Sequence, residues 1–169
     1  MENPLVYILI MNNDTIVDKQ MLSELVREAE GSPDIGIVGP KIYYYDAPDT
    51  IWFAGGDRGR WTWAVTRRPR GRERKSSNIP RDVSFLPGCG MLVRRALVER
   101  IGSFDTGYFM YYEDCDFCVR AEQAGFRLRY VPIARMWHKV SASLGGKKSP
   151  LNRYYRSRGL LRFLRRNPS

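Results

Sequence analysis

The sequence has a single histidine and three cysteines, an odd number that leaves at least one thiol unpaired. That count argues against a secreted disulfide scaffold and for a reducing compartment. Acid is scarce as well: 18 Asp and Glu stand against 28 Lys and Arg, a formal net charge of +10. Long hydrophobic runs are missing. The longest, Leu5 to Met11, falls far short of the ~20 apolar residues that a membrane-spanning helix needs, and no signal-peptide pattern precedes it. No internal repeat is visible. No helix-turn-helix, RNA-recognition or zinc-finger spacing accompanies the basic residues, so no specific nucleic-acid partner is expected. What is present is 43% hydrophobic residues in a chain of 169, enough for a folded core and incompatible with a disordered or collagen-like chain. The expectation is a soluble, cytoplasmic, basic domain that meets anionic partners: a nucleotide, a phospholipid surface or nucleic acid.

The periodicities are those of an α/β chain. Leu5 to Met11 is a continuous apolar run, the pattern of a strand buried on both faces, and it stops at the polar turn Asn12-Asn13-Asp14-Thr15. Met21, Leu22, Leu25, Val26 and Ala29 fall at helical spacing within about Asp18 to Glu30, and Gly31 ends that helix. Strands are predicted at Ile35 to Val38, Lys41 to Tyr45, Ile51 to Ala54, Arg60 to Val65, Val83 to Leu86, Met91 to Val93, Arg127 to Val131 and Ala134 to Trp137. Helices are predicted at Arg95 to Ile101, about Asp114 to Ala124, and Pro150 to Arg166. The segment 67–81, basic and almost without apolar residues, reads as a mobile loop. Residues 1–149 therefore form the α/β body, and residues 150–169 a basic amphipathic helix. That helix can lie on an anionic membrane surface, or pack its apolar side on the body and expose its arginines.

Four groups of residues carry possible chemistry. Asn12-Asn13-Asp14 sets a carboxylate and amides at the carboxyl end of a strand, where open α/β sheets bind ligands and where Mg²⁺ or Mn²⁺ finds hard oxygen donors. The alternative is a plain turn whose side chains bond local backbone. Glu113, Asp114 and Asp116 crowd three carboxylates at a helix start, which can raise one pKa toward that of a general base; acids there also simply complement the helix dipole. His138, at a strand end, is a metal-ligand or acid–base candidate, or a structural histidine. Cys89, Cys115, Cys118 and His138 together have the composition of a structural zinc site, although lone cysteines are commonly small buried hydrophobes.

The order of these pieces resembles family 2 glycosyltransferases with the GT-A fold. Tyr7 to Thr15 is similar to the metal-site strand of that family. The runs Gly88-Cys89-Gly90-Met91-Leu92-Val93-Arg94-Arg95, Ile101-Gly102-Ser103-Phe104-Asp105, Phe109 to Arg120 and Ala124-Gly125-Phe126-Arg127 resemble its rhamnosyltransferase-like branch, with His138 and the pair Tyr154-Tyr155 following in order. The resemblance implies a partial GT-A fold, a mixed sheet flanked by helices. It matches Asp14 to the metal-binding acid, with Asn12 where the first acid of a DxD-type motif stands, and His138 to a residue completing the metal site. It matches Asp114 to the catalytic base, and puts Asn12, Asn13, Gly88, Cys89, Gly90, Glu113 and Asp116 around the substrate. Gly88 to Gly90 would flank the sugar, their missing side chains permitting close approach. Arg158-Gly159 stands where relatives often carry Arg-Asn.

The implied reaction is an inverting, metal-assisted transfer from a nucleotide-diphosphate sugar to a saccharide or lipid-linked acceptor, in polysaccharide or glycolipid synthesis, with Mg²⁺ or Mn²⁺ as cofactor. Arginines of the loop or tail would hold donor or acceptor phosphates, and the tail is a site of possible contact with the inner membrane face. In the family, a nucleotide-binding strand-helix-strand half precedes the metal strand. The 169 residues are therefore expected to expose apolar sheet edge and face, with a tendency to self-associate, and to be weakly active alone. A non-catalytic glycan- or anion-binding module of the same fold, and a basic nucleic-acid-binding domain, are the competing functions.

Overall fold

The computed structural model describes residues 6–59, 65–67, 71, 75–139 and 149–167. Among the described residues nine strands and four α-helices follow in chain order: β1 Tyr7–Met11, β2 Thr15–Val17, α1 Met21–Glu30, β3 Ile35–Tyr44, β4 Ile51–Phe53, β5 Gly56–Arg58, β6 Val65–Arg67, β7 Arg81–Val83, β8 Gly90–Arg94, α2 Arg95–Ile101, α3 Glu113–Gln123, β9 Arg127–His138 and α4 Pro150–Arg166. Seven strands form one mixed sheet ordered β1-β8-β3-β9-β2, with β4 added beside β3 and β7 beside β9, while β5 and β6 make a separate hairpin. β3 and β9 are parallel, and β8 runs antiparallel to both β3 and β1. Hence β1, β3 and β9 point the same way, and their carboxyl ends share one side of the sheet.

The two long strands are the spine. β3 is buried over nine of its ten residues, as a central strand covered on both faces must be. Its first half pairs with β8 and its second half with β4, while β9 lies along its whole length. Each was expected as two strands broken at Pro40 and Pro132. Instead the pairing continues, because the register jumps between Pro40 and Lys41, so that residues 132–134 bulge opposite them and Pro132 owes no ladder hydrogen bond. α1 closes one part of the core with Met21, Leu25 and Ala29, which fall one turn apart on its buried side.

The first strand departs from expectation. β1 is an edge strand with one neighbour, β8, and it is only partly buried. Val6, Leu9 and Met11 are exposed. A continuous apolar run signals two-sided burial only where other elements cover both faces, and here the sheet ends at β1.

Of the expected basic loop, Gly71 exchanges two backbone hydrogen bonds with Ile51, Lys75–Asn78 forms a short helical turn, and Arg81 opens β7. Arg67 ends β6, while residues 68–70 and 72–74, and Arg60 to Ala64 of a predicted strand, lie outside the described residues. No helix among the described residues is long and apolar enough to cross a membrane.

Candidate active site

β1 ends at Met11 opposite Gly90, and the next amide, Asn12 N, donates to Cys89 O at 3.3 Å. This couples the Asn12–Asp14 turn to the Gly88–Gly90 loop. On the other side, β2 returns antiparallel to β9 with Thr15 opposite His138, and Lys139 N donates to Asp14 O at 3.1 Å. Strand register therefore carries His138 to the turn. Its Nε2 lies 3.1 Å from Asp14 Oδ1 and 3.4 Å from Asn12 Nδ2. Asn13 is exposed at the tip of the same turn.

Two observations bear on what this cluster holds. Asp14 Oδ1 and His138 Nδ1 are both buried without a hydrogen bond, so the close approach of Asp14 to Nε2 is not a well-formed one. Burial pushes the His138 pKa below its ordinary value, with the Asp14 charge offsetting part of that. A neutral imidazole nitrogen and an orphaned carboxylate oxygen thus converge beside an amide, a donor set that suits a divalent cation such as Mg²⁺ or Mn²⁺. Trp52 packs edge-on against the His138 ring at 5.4 Å and limits its rotation. Among the described residues, no group of three or more His, Cys, Asp or Glu side chains is arranged to hold a metal, so the protein offers two such ligands here.

The second half of the site is the start of α3. Tyr111 and Tyr112 both have left-handed backbone, φ 66° and 72°, a conformation that costs a bulky residue of order 1–3 kcal/mol and is kept only where the surroundings demand it. They turn the chain so that Glu113 and Asp114 open the helix. Asp114 Oδ2 accepts from Gly88 N at 3.2 Å, and Oδ1 from Cys115 N at 2.8 Å. Two backbone donors and the helix N-terminus hold this carboxylate in one orientation. Its neighbour is different. Glu113 is half-buried, its Oε2 has no partner, and burial first, then the Asp114 charge, raise its pKa to about 7. The sequence suggested crowding of acids as the cause of such a shift; here burial is the larger cause and the Asp114 charge adds to it.

Three expectations are corrected. Asp116, expected around the substrate, is 1% exposed and faces inward. It bonds Arg120 Nε at 2.7 Å, Arg166 Nε at 3.3 Å and the Tyr108 hydroxyl at 3.3 Å, because at the fourth position of α3 it points into the body of the protein. Gly90 lacks a side chain for an internal reason: a Cβ there would sit 2.4 Å from the buried Met136 Sδ. At Gly88 a Cβ would make only ordinary contacts, and its amide is what bonds Asp114. The zinc alternative fails, since Cys89, Cys115, Cys118 and His138 are not brought together as a metal-holding group among the described residues, and all three cysteines are buried. Cys118 Sγ donates to Leu86 O, and burial drives the Cys115 and Cys118 pKa values up.

The sequence reading missed how α4 is fastened. Arg162 makes a forked ion pair with Asp105, at 2.8–3.1 Å, and Arg166 reaches Asp105 and Asp116. Asn152 Nδ2 donates to the Tyr111 hydroxyl at 2.8 Å. Gly159 lies against the Tyr111 carbonyl, where a Cβ would be 2.6 Å away. These partners are up to 61 residues apart in sequence, Asp105 to Arg166, beyond any local signal.

Residues 7–166 match the model of the glycosyl transferase family group 2. The chain belongs to that family. It is 38% identical over 88 residues to the N-acetylglucosaminyl-diphospho-decaprenol L-rhamnosyltransferase of Mycobacterium tuberculosis, covering 52% of this chain and 27% of that protein. Rhamnosyltransferase WbbL of Escherichia coli is 48% identical over 56 residues, 33% of this chain and 21% of that protein. The O-antigen biosynthesis protein RfbC of Myxococcus xanthus is 27% identical over 89% of this chain and 12% of its own. This glycosyltransferase chain is rhamnosyltransferase-like, and it spans about a quarter of the M. tuberculosis relative or less of the others. Among solved structures it is similar to GalNAc-T7 crystallised with UDP, GalNAc and Mn²⁺, with a TM-score of 0.66, 18% identity and coverage of 94% of this chain and 31% of that one. The fold is GT-A.

Proposed function

We propose that the chain carries the acceptor-side catalytic carboxylate and the cation-binding turn of an inverting glycosyltransferase. The transferase moves a sugar from a nucleotide-diphosphate donor to a hydroxyl of a saccharide or lipid-linked acceptor, in cytoplasmic synthesis of a polysaccharide or glycolipid. The observation that carries this reading is the convergence, in a family 2 chain, of Asn12, Asp14 and His138 at the carboxyl ends of parallel strands, hydrogen-bonded through Cys89 to the loop whose Gly88 holds Asp114.

Asp114 takes the proton of the attacking hydroxyl. Its two backbone donors stabilise the carboxylate and fix its orientation, which restricts the direction from which the acceptor approaches. Glu113, beside it, has its pKa raised to about 7, so a substantial share of it is protonated at neutral pH and suits a hydrogen bond to the sugar or acceptor. Asp14 and His138 would hold Mg²⁺ or Mn²⁺, with Asn12 beside them and water or donor phosphates supplying further ligands. A cation held there would supply positive charge against the departing diphosphate.

The test is a donor screen with Mn²⁺ on the protein extended by the nucleotide-binding half, followed by Asp114→Asn in the same protein. Loss of transfer by a factor of ~10² or more with donor binding retained supports the base assignment. Unchanged transfer refutes it, and glycan binding without transfer in either protein favours a binding module.

A further inference from the structure

The two faces of α4 have opposite characters. Its inner face is built for the body of the protein: Asn152, Gly159 and Phe163 are buried, and Arg162 and Arg166 turn inward onto Asp105 and Asp116. If the helix only packed there, its outer face would be polar. It is not. Tyr154 and Leu161 are 57% and 58% exposed, and Leu164 is 42% exposed, all on one outward stripe at helical spacing. Arg153, Arg158 and Arg165 border that stripe, and no carboxylate among the described residues pairs with them. The helix contains six arginines and no acid. Beside it lies a cleft of about 590 Å³ whose lining combines Tyr154 and Leu161 with Arg158, Arg162 and Arg165.

We propose that this outer face docks on an anionic phospholipid bilayer, with the apolar stripe entering the boundary between headgroups and acyl chains, the arginines meeting lipid phosphates, and the cleft admitting one headgroup. The charge complementarity and the stripe select this occupant together. A nucleic-acid backbone would use the arginines but leave Leu161 and Leu164 in water, whereas an interfacial helix uses both. The docking stands without the glycosyltransferase reading. If both hold, Asn152 and Gly159 of the docked helix grip Tyr111, two residues before Glu113, and bring the start of α3 toward the membrane plane, where a lipid-linked acceptor would be.

The test is co-sedimentation of the 169-residue chain with phosphatidylcholine vesicles and with vesicles containing about a third phosphatidylglycerol. Binding is expected to the second only. The triple substitution Arg153→Glu, Arg158→Glu, Arg165→Glu should weaken it ~100-fold, on the order of fivefold for each arginine at an anionic surface. Leu161→Ser with Leu164→Ser, at unchanged charge, should weaken it ~10-fold. A control triple remote from α4, Arg27→Glu, Arg95→Glu, Arg135→Glu, should cost only a few-fold by the general field. All these residues are solvent-exposed, and matching thermal melts verify that each variant is folded. The proposal is overturned by absence of binding to anionic vesicles, by equal losses in the two triples, or by a leucine pair without effect. Single-stranded RNA binding lost in the α4 triple, with no vesicle binding, would reassign the face to nucleic acid and also overturn it.

Discussion

Replacing Glu113 by glutamine should make the protein more stable, and only above a defined pH. Glu113 sits half-buried at the start of α3 with Oε2 unpartnered, and its pKa rises from 4.5 to about 7, chiefly through burial and then through Asp114. The folded-state pKa lies above the unfolded one, so the native state binds this proton more tightly. The stability tied to that proton is fully present below pH 4.5 and is lost as pH rises through about 7. At 1.36 kcal/mol per pKa unit the ionised group costs the fold about 3 kcal/mol well above pH 7. Glutamine keeps the shape and removes the charge. Urea unfolding of the two proteins should give equal stability near pH 4.5 and a gain approaching about 3 kcal/mol for Glu113→Gln at pH 9. In an Asp114→Asn background the gain should shrink but remain more than half, because burial is the larger cause. A gain of the same size at pH 5 and pH 9, or a loss at every pH, would refute the reasoning. Such a cost, kept at the proposed reaction centre, is what a site trading stability for chemistry is expected to show.

Gly159→Ala should destabilise the protein by ~1–3 kcal/mol in urea unfolding, since its Cβ meets the Tyr111 carbonyl at 2.6 Å, although alanine is the better helix former by ~1 kcal/mol. Gly90→Ala should likewise destabilise, and truncating the opposing residue by Met136→Ala should recover part of the loss in a double-mutant cycle. Asp105 has its pKa lowered by the Gly107 amide and then by Arg162, so its contribution is present above pH 3.8 and is lost as pH falls below it. Amide exchange in α4 should therefore accelerate below that pH, and Asp105→Asn should produce the same acceleration at neutral pH. In the extended enzyme, Asp14→Asn should weaken Mn²⁺ binding at least tenfold by titration calorimetry while leaving the fold intact.

Much of the secondary structure was legible because its signals are local. α2 and α4 span the residues that apolar spacing indicated, with Gly102, at φ 75°, just past α2 and Pro150 opening α4 behind a Ser149 cap. The breaks assigned at Pro40 and Pro132 were local readings too, and they failed because the β3–β9 pairing resumes after a register jump that places Pro132 in a bulge and keeps Pro40 opposite Val131. For the site, the Asn12–Asp14 turn, Asp114 and His138 were recognisable as an ordered set. Asp116 was assigned with them by proximity in sequence, and helical geometry turned it the other way, onto Arg120 and Arg166.

The sequence by itself determined the class of the chain, the positions of its helices and the residues able to do chemistry, because periodicity, caps and turn residues act between near neighbours. Only the tertiary structure decided which of those residues meet. Asn12 and His138 lie 126 positions apart and come within 3.4 Å because β9 pairs with both β3 and β2 in one register. A shift of one residue in that register would turn His138 to the other face of the sheet, since side chains alternate along a strand.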